Sequence, residues 1–208
     1  MTELEELASY GVATVHEAYG RRGLVEADLV QLVPGSRAAG PARTVRCGRG
    51  DNLMVHAALS QAAPGEVLVL TLPDPAPFSL VGELIAIQAM QRVVAAILVD
   101  AAVRDVDELR RLGLPIWARW IRARGTTKDI VGTINEPVTV GGVAIEAGDV
   151  VVLDADGAVV VPGSDVPNVL AAARERTARE ETARAQYRGG ALSYDLSGFR
   201  AKVEPPKS

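Results

Sequence analysis

Chemistry that depends on sulfur is almost absent from this chain, because Cys47 is its one cysteine. A single thiol excludes an internal disulfide and every Cys-x-x-Cys metal or redox motif. Histidine is nearly as scarce: only His16 and His56 are present, too few and too far apart for a histidine-rich metal site. Lysine occurs at 128, 202 and 207 alone. A Schiff-base enzyme needs a buried lysine with a depressed pKa, whereas Lys128 lies in the polar run Gly-Thr-Thr-Lys-Asp and suits an anion contact. Gly-x-Ser-x-Gly, the phosphate-binding loop and the dinucleotide fingerprint are also missing. Basic residues are outnumbered, 22 Lys and Arg against 26 Asp and Glu, so no nucleic-acid footprint is expected. No basic-then-apolar leader and no run of membrane-spanning length is found. The expectation is a soluble, cytoplasmic protein with no membrane partner.

What is present is a 208-residue chain that is 48% hydrophobic, enough for one domain with a sizeable core. Its first half alternates helix and strand signals. Leu4–Tyr10 predicts a short helix, and Thr14 an N-cap for a second that carries His16, Glu17 and Tyr19 and ends near Gly20. Leu29–Val33 is a weak strand signal and Arg43–Cys47 a clearer one. Asp51 or Asn52 caps a helix running through Leu59. A strand at Glu66–Leu72, a proline-rich loop at Pro73–Pro77 and a helix from Ser79 or Gly82 to Arg92 follow. The apolar run Ala95–Val99 predicts a buried strand, and Val106–Arg111 a helix.

After Gly113 the pattern turns to strands, at Pro115–Ala118, Val138–Val140, Val143–Ile145, Val150–Leu153 and Ala158–Val161. Gly141-Gly142 and Asp154–Gly157 read as hairpin turns. Ser164 or Asp165 caps a long helix with Val169, Leu170 and Ala173 inside and arginines and glutamates outside. The reading is a mixed α/β domain over residues 1–188 and an irregular tail over 189–208 that packs on a neighbouring subunit.

The stretch Ala95–Asp105 carries the most information, because a buried strand delivers Arg104 and Asp105 side by side at its carboxyl end. Loops beyond such strand ends are where α/β proteins place their chemistry. An arginine and nearby carboxylates, Asp105 and Glu83, suit a metal-bound keto acid: the guanidinium grips the substrate and the acids hold a hard cation and its waters. Each residue also has a plainer reading. Asp105 followed by Glu108 looks like a capping-box variant. Glu83 in the first turn of a helix is favoured by the macrodipole in any case. The amides of Leu84 and Ile85 at that terminus are candidate receivers of a substrate carboxylate. Asn52 and His56, four residues apart, fall on one helix face as candidate substrate contacts. A lone histidine is, even so, more often structural. Arg49-Gly50-Asp51 spells an adhesion tripeptide, read here as coincidence.

Several segments together resemble the RraA-like family, in particular its aldolase branch of 4-hydroxy-4-methyl-2-oxoglutarate/4-carboxy-4-hydroxy-2-oxoadipate aldolases. They are Gly-Asp-Asn-Leu-Met-Val-His-Ala-Ala-Leu (50–59), Pro-Gly-Glu-Val-Leu-Val-Leu (64–70), Gly-Glu-Leu-Ile-Ala (82–86) and Val-Arg-Asp (103–105). Leu-Pro-Ile-Trp-Ala (114–118), Gly-Thr-Thr-Lys-Asp (125–129) and the run 148–162 complete the set. The resemblance implies a swivelling β/β/α three-layer fold with mixed sheets, assembled as a homotrimer or homohexamer with sites between subunits. It implies a Mg²⁺- or Mn²⁺-dependent retro-aldol cleavage that releases pyruvate, together with oxaloacetate decarboxylation through the same enolate. Carried over position by position, Asp105 ligates the metal directly and Glu83 holds it through water. Arg104 contacts the keto acid and steadies the enolate, while the Leu84 and Ile85 amides take its carboxylate. Glu180 of a neighbouring copy, next to Glu181, joins through water. Lys128, Arg122 or Arg124 are candidates for a distal carboxylate.

The chain departs from that pattern at Ala101-Ala102 and at Val93 and Ala96, where glycine is usual, and in the bulkier Trp120-Ile121-Arg122. A need for positive φ at Ala101 or Ala102 would strain the loop. Two other functions fit the same resemblance: oxaloacetate decarboxylase as the main activity, and a non-catalytic regulator that binds a ribonuclease.

Overall fold

The computed structural model describes residues 1–204. Its centre is a run of parallel strands, β2 (Ala38–Arg46), β3 (Val67–Thr71), β5 (Ala96–Val103) and β6 (Ile116–Ile121), hydrogen-bonded in that order, with β4 (Ser79–Val81) parallel to the far half of β5. The short β1 (Val30–Gln31) pairs antiparallel with β6, and β7 (Thr133–Ile134) with β2. Helices α2 (Leu53–Gln61), α3 (Glu83–Gln91) and α4 (Val106–Leu112) occupy the crossovers between the parallel strands.

Strand side chains alternate, so a strand covered on both faces reads as one continuous apolar run. In β5, Ile97, Val99, Ala101 and Val103 pack with Val55, Ala58, Ile85, Ala86 and Leu109 of the helices. Ala96 and Leu98 face the other way, with Trp117 and with Val138, Val140 and Ile145 of the hairpin β8 (Val138–Val140)–β9 (Val143–Ile145). Beyond β2 the sheet continues antiparallel through β10 (Val150–Asp154) and β11 (Gly157–Val161). Their second face is covered by α1 (Glu3–Ala18) and α5 (Val166–Arg188). The expected mixed-sheet, three-layer β/β/α architecture is the one the chain adopts.

Several elements differ from the sequence reading. The two N-terminal helices are one element broken at Gly11 (φ 79°, ψ 171°), so Thr14 caps nothing; Thr2 caps the start in a box with Glu5. Just after the break the freed Val12 N–H donates to Asp154 Oδ2 at 3.0 Å. Ser79 lies in β4, and Gly82 is the N-cap of α3. The strand at 95–99 continues to Val103, because the charge of Asp100 that marked its end is paired with Arg119 inside the fold. Ala101 and Ala102 stay within β5 without positive φ, at a register shift in its pairing with β6, whereas Val93 takes a positive φ of 57°. The tail holds two short helices, α6 (Ser193–Leu196) and α7 (Phe199–Val203), where an irregular segment was expected; residues 205–208 of that segment lie outside the described residues.

Gly11 shows what one methyl would cost. Its backbone lies in a region reserved for glycine, and a Cβ there would overlap Asp154 Oδ2. Gly11→Ala is therefore expected to destabilise the fold by about 2–4 kcal/mol in urea or thermal unfolding. A loss below about 0.5 kcal/mol would mean the break relaxes freely.

Candidate active site

Parallel pairing brings Glu83 and Arg104–Asp105 together. Val81 of β4 stands opposite Val103 of β5, so Gly82-Glu83 and Arg104-Asp105 leave the sheet at the same edge. The Arg104 N–H extends this ladder by donating to Val81 O at 3.0 Å. Asp105 then turns left-handed (φ 57°, ψ 44°), a conformation that aspartate tolerates better than most residues.

That turn decides which helix its carboxylate serves. Asp105 makes no side-chain cap to its own helix α4, contrary to the capping-box reading. Its Oδ2 instead accepts the Glu83 N–H at 3.1 Å, capping α3 across the strand gap. The Arg104 Nε lies 3.7 Å from the same oxygen, and the two side chains are 50% and 42% exposed. Gly82 makes this approach possible, since a Cβ on it would overlap Asp105 Oδ2. Ile85 is not the free amide donor expected: its N–H donates to Gly82 O at 3.1 Å. With the Glu83 amide taken by Asp105, Leu84 N–H is the donor left without a partner at this terminus among the described residues.

These groups border a cleft of about 550 Å³ whose lining also includes Asn52, Thr126, Lys128 and Glu108. Asn52 is 6% exposed. Its Nδ2 donates to Leu80 O at 3.1 Å, and its Oδ1 has no partner among the described residues. A buried carbonyl oxygen without a donor costs free energy unless a ligand supplies one. The neighbouring Asp51 is fully buried, so the adhesion tripeptide cannot be displayed. Burial pushes the Asp51 pKa upward, but backbone N–H groups of Asp129, Leu53 and Ile130 and the Thr127 hydroxyl outweigh it, and the net shift is down. Asp51 is therefore ionised at neutral pH.

Other candidates fall outside the cleft. His56 lies one turn further along α2 and faces a separate groove with Leu59, Ile87 and Arg92. Burial, helped by the Lys128 charge, lowers its pKa, so it is neutral near pH 7, with Nε2 unpartnered among the described residues. Arg122 donates to Ile121 O, and Arg124 stacks 4.0 Å from the Phe78 ring centroid; neither lines the cleft. Glu180 sits on α5, paired with Arg176 at 2.9 Å and Arg184 at 3.2 Å. Its expected role in a neighbouring copy concerns an assembly rather than this chain.

Whether the cleft suits a divalent cation turns on its donors. Glu83, Asp105 and Glu108 all border it, yet among the described residues no three His, Cys, Asp or Glu side chains converge into a cage. One anchoring carboxylate with the remaining positions open fits Mg²⁺ or Mn²⁺, hard ions that keep waters and accept substrate oxygens. Asp105 meets that description, since Oδ1 has no partner among the described residues.

The sequence profile "RraA-like: Aldolase/RraA" matches residues 12–160. The chain belongs to the RraA-like family. A Halalkalibacterium halodurans protein named "Putative 4-hydroxy-4-methyl-2-oxoglutarate aldolase" is 36% identical over 165 residues, 79% of this chain and 76% of the relative. Among solved structures, Streptomyces coelicolor RraAS2, described as an unusual member of the RNase ES inhibitor RraA protein family, aligns with TM-score 0.75 and 29% identity. That alignment covers 88% of this chain and 95% of RraAS2. The RNA-processing inhibitor RraA from Thermus thermophilis aligns with TM-score 0.66 and 26% identity, over 72% of this chain and 91% of its own. Both carry the RraA-like architecture, and the family thus includes proteins named for lyase chemistry and proteins named for RNase inhibition.

Two features of this RraA-like cleft had no clear signal in one dimension. The Asp51 contacts with the 127–130 loop join residues 76 to 79 positions apart. Gly82 matters for the atoms its missing Cβ would strike, although its own backbone is extended.

Proposed function

We propose that this RraA-like chain is a divalent-metal-dependent lyase that cleaves 4-hydroxy-2-oxo polycarboxylic acids and releases pyruvate. The observation that carries this reading is the meeting of Arg104, Asp105 and Glu83 at one strand edge, beside a Leu84 amide that has no partner among the described residues. A Mg²⁺ or Mn²⁺ ion held by Asp105, with Glu83 reaching it through water, supplies positive charge at the keto oxygen when bound.

The substrate's own bonds define what the residues must do. The C3–C4 bond breaks and its electron pair passes to C3 and the keto oxygen; the 4-hydroxyl gives its proton to solvent water as C4 becomes a carbonyl, and the enolate takes a proton from water at C3 to leave as pyruvate. Arg104 donates to the oxygen on which negative charge grows, stabilising charge that appears only as the bond breaks. Leu84 N–H at the positive end of α3 receives the C1 carboxylate. Asn52 Oδ1, fixed because Nδ2 is committed to Leu80 O, accepts from the 4-hydroxyl and orients it. Of the three cations considered for the distal carboxylate, Lys128 is the one that borders the cleft. Assembly as a trimer or hexamer belongs to the same reading and is measured by light scattering on the eluted protein.

The assay is pyruvate release from 4-carboxy-4-hydroxy-2-oxoadipate and from oxaloacetate, with added Mg²⁺ or Mn²⁺, with EDTA, and against a metal-only blank. Metal-dependent release from the aldol substrate, abolished by EDTA, is expected. Oxaloacetate turning over faster than every aldol substrate would make decarboxylation the main activity. A second reading, a regulator that binds a ribonuclease, draws support from the likeness to RraAS2 and the Thermus thermophilis protein. It gains the ranking if metal-loaded protein releases no pyruvate from either substrate and inhibits a purified ribonuclease.

A further inference from the structure

Asp51 is 0% exposed at the junction between β2 and α2. A buried carboxylate is costly unless donors surround it. Here Oδ1 accepts Leu53 N–H at 2.8 Å. Oδ2 accepts the Thr127 hydroxyl at 2.7 Å, Asp129 N–H at 2.6 Å and Ile130 N–H at 3.3 Å. The backbone adds two bonds to the same junction: Asn52 N–H to Thr127 O and Thr127 N–H to Gly50 O, each 3.0 Å. Both carboxylate oxygens are thus committed within the protein, so Asp51 is not a group that touches substrate.

What it holds is the point of interest. One side of the junction carries Asn52, and the other carries Thr126 and Lys128; all three border the cleft that contains Arg104 and Asp105. From Arg122 to Gly132 the chain has no helix or strand apart from the isolated bridge to Asp51, and most of its residues are exposed. A lysine is a flexible point charge, and its head is located only as well as the backbone beneath it.

We propose that Asp51 is a positioning residue that fixes the Lys128 ammonium at a set span from Arg104, and thereby selects 4-hydroxy-2-oxo acids bearing a second, distal carboxylate. This rests on the lyase reading above. A substrate with carboxylates at both ends meets Arg104 and Leu84 N–H at one and Lys128 at the other, whereas an acid with a methyl in place of the distal carboxylate leaves Lys128 without a partner. Releasing the loop weakens the second contact and leaves the bond-breaking geometry at Arg104 in place.

The test compares 4-hydroxy-4-methyl-2-oxoglutarate with 4-hydroxy-2-oxopentanoate, which lacks the distal carboxylate, in the full-length metal-loaded protein. Thr127→Val removes one bond of the clasp, and Thr127→Ser retains the hydroxyl. Asp51→Asn keeps the volume but turns an amide N–H toward backbone donors. For the dicarboxylate, Thr127→Val is expected to raise KM about tenfold with kcat within about twofold, because uniform binding is lost. For the monocarboxylate KM moves less than about twofold, and Thr127→Ser restores the parent values. Asp51→Asn shifts the same ratio further.

Equal changes for both substrates, or a fall in kcat alone, would show a merely structural role and overturn the proposal; so would unchanged kinetics. A parent protein that releases no pyruvate from either acid sinks the lyase reading itself, and a second readout then judges the clasp alone. Because lysine occurs only at 128, 202 and 207, a lysine-specific protease cuts the body of the chain at one place. Faster cleavage after Lys128 in folded Asp51→Asn than in the parent supports the clasp, and equal rates overturn it.

Discussion

Replacing Arg104 with alanine is expected to lower kcat for pyruvate release by about 10²–10³-fold, roughly 3–4 kcal/mol of transition-state stabilisation, in a protein that stays folded. The guanidinium is half exposed and, among the described residues, its one charged partner is Asp105, so its loss removes little packing. A surface change of this kind moves stability by about 0.5 kcal/mol or less. The activity change is larger because charge develops on the substrate oxygen beside this side chain as the C3–C4 bond breaks. Arg104→Lys keeps the charge without the planar fork and is expected to fall between alanine and the parent. Steady-state kinetics with Mn²⁺, alongside thermal unfolding, checks both statements. An alanine variant within about threefold of the parent kcat would remove Arg104 from the chemistry.

The strand edge that carries this arginine was legible because its signals are local. An apolar run followed by Arg104-Asp105 marks the end of a buried strand, whereas Glu83 was read only as the first turn of a helix, and the parallel register of β4 on β5 is what places the two together. Side-chain direction was less legible. The spacing from Asp105 to Glu108 matches a cap on α4, but a left-handed φ at Asp105 swings the carboxylate to α3 instead. Asn52 and His56 share a helix face by count, yet the cleft lies at the helix start, and one turn along, about 5.4 Å, the neighbours are Ile87 and Arg92. β4 was missed because three residues after a proline-rich loop leave no period to read. The Asp51 clasp was invisible for a different reason: its partners are brought near only by the tertiary fold, and nothing in either segment names the other.

Gly82→Ala is expected to match the Arg104 variant in effect while altering no functional side chain directly. Gly82 has φ −141° and ψ −172°, an extended conformation open to any residue, so alanine carries no backbone penalty. The methyl, however, would overlap Asp105 Oδ2 and stand 3.2 Å from the Arg104 Cγ and Nε. Asp105 has to swing away, which breaks its bond to Glu83 N–H and uncaps α3, at a cost of about 1 kcal/mol. A displacement of about 1 Å at a reacting centre is enough for a hundredfold loss in kcat. The double variant Gly82→Ala/Asp105→Ala locates the cause. If the methyl acts by moving the carboxylate, the double variant is no slower than Asp105→Ala alone, because the group being displaced is already gone. If the two losses multiply instead, the methyl acts through Arg104 or the cleft volume, and Asp105 has no special claim on the space Gly82 leaves open.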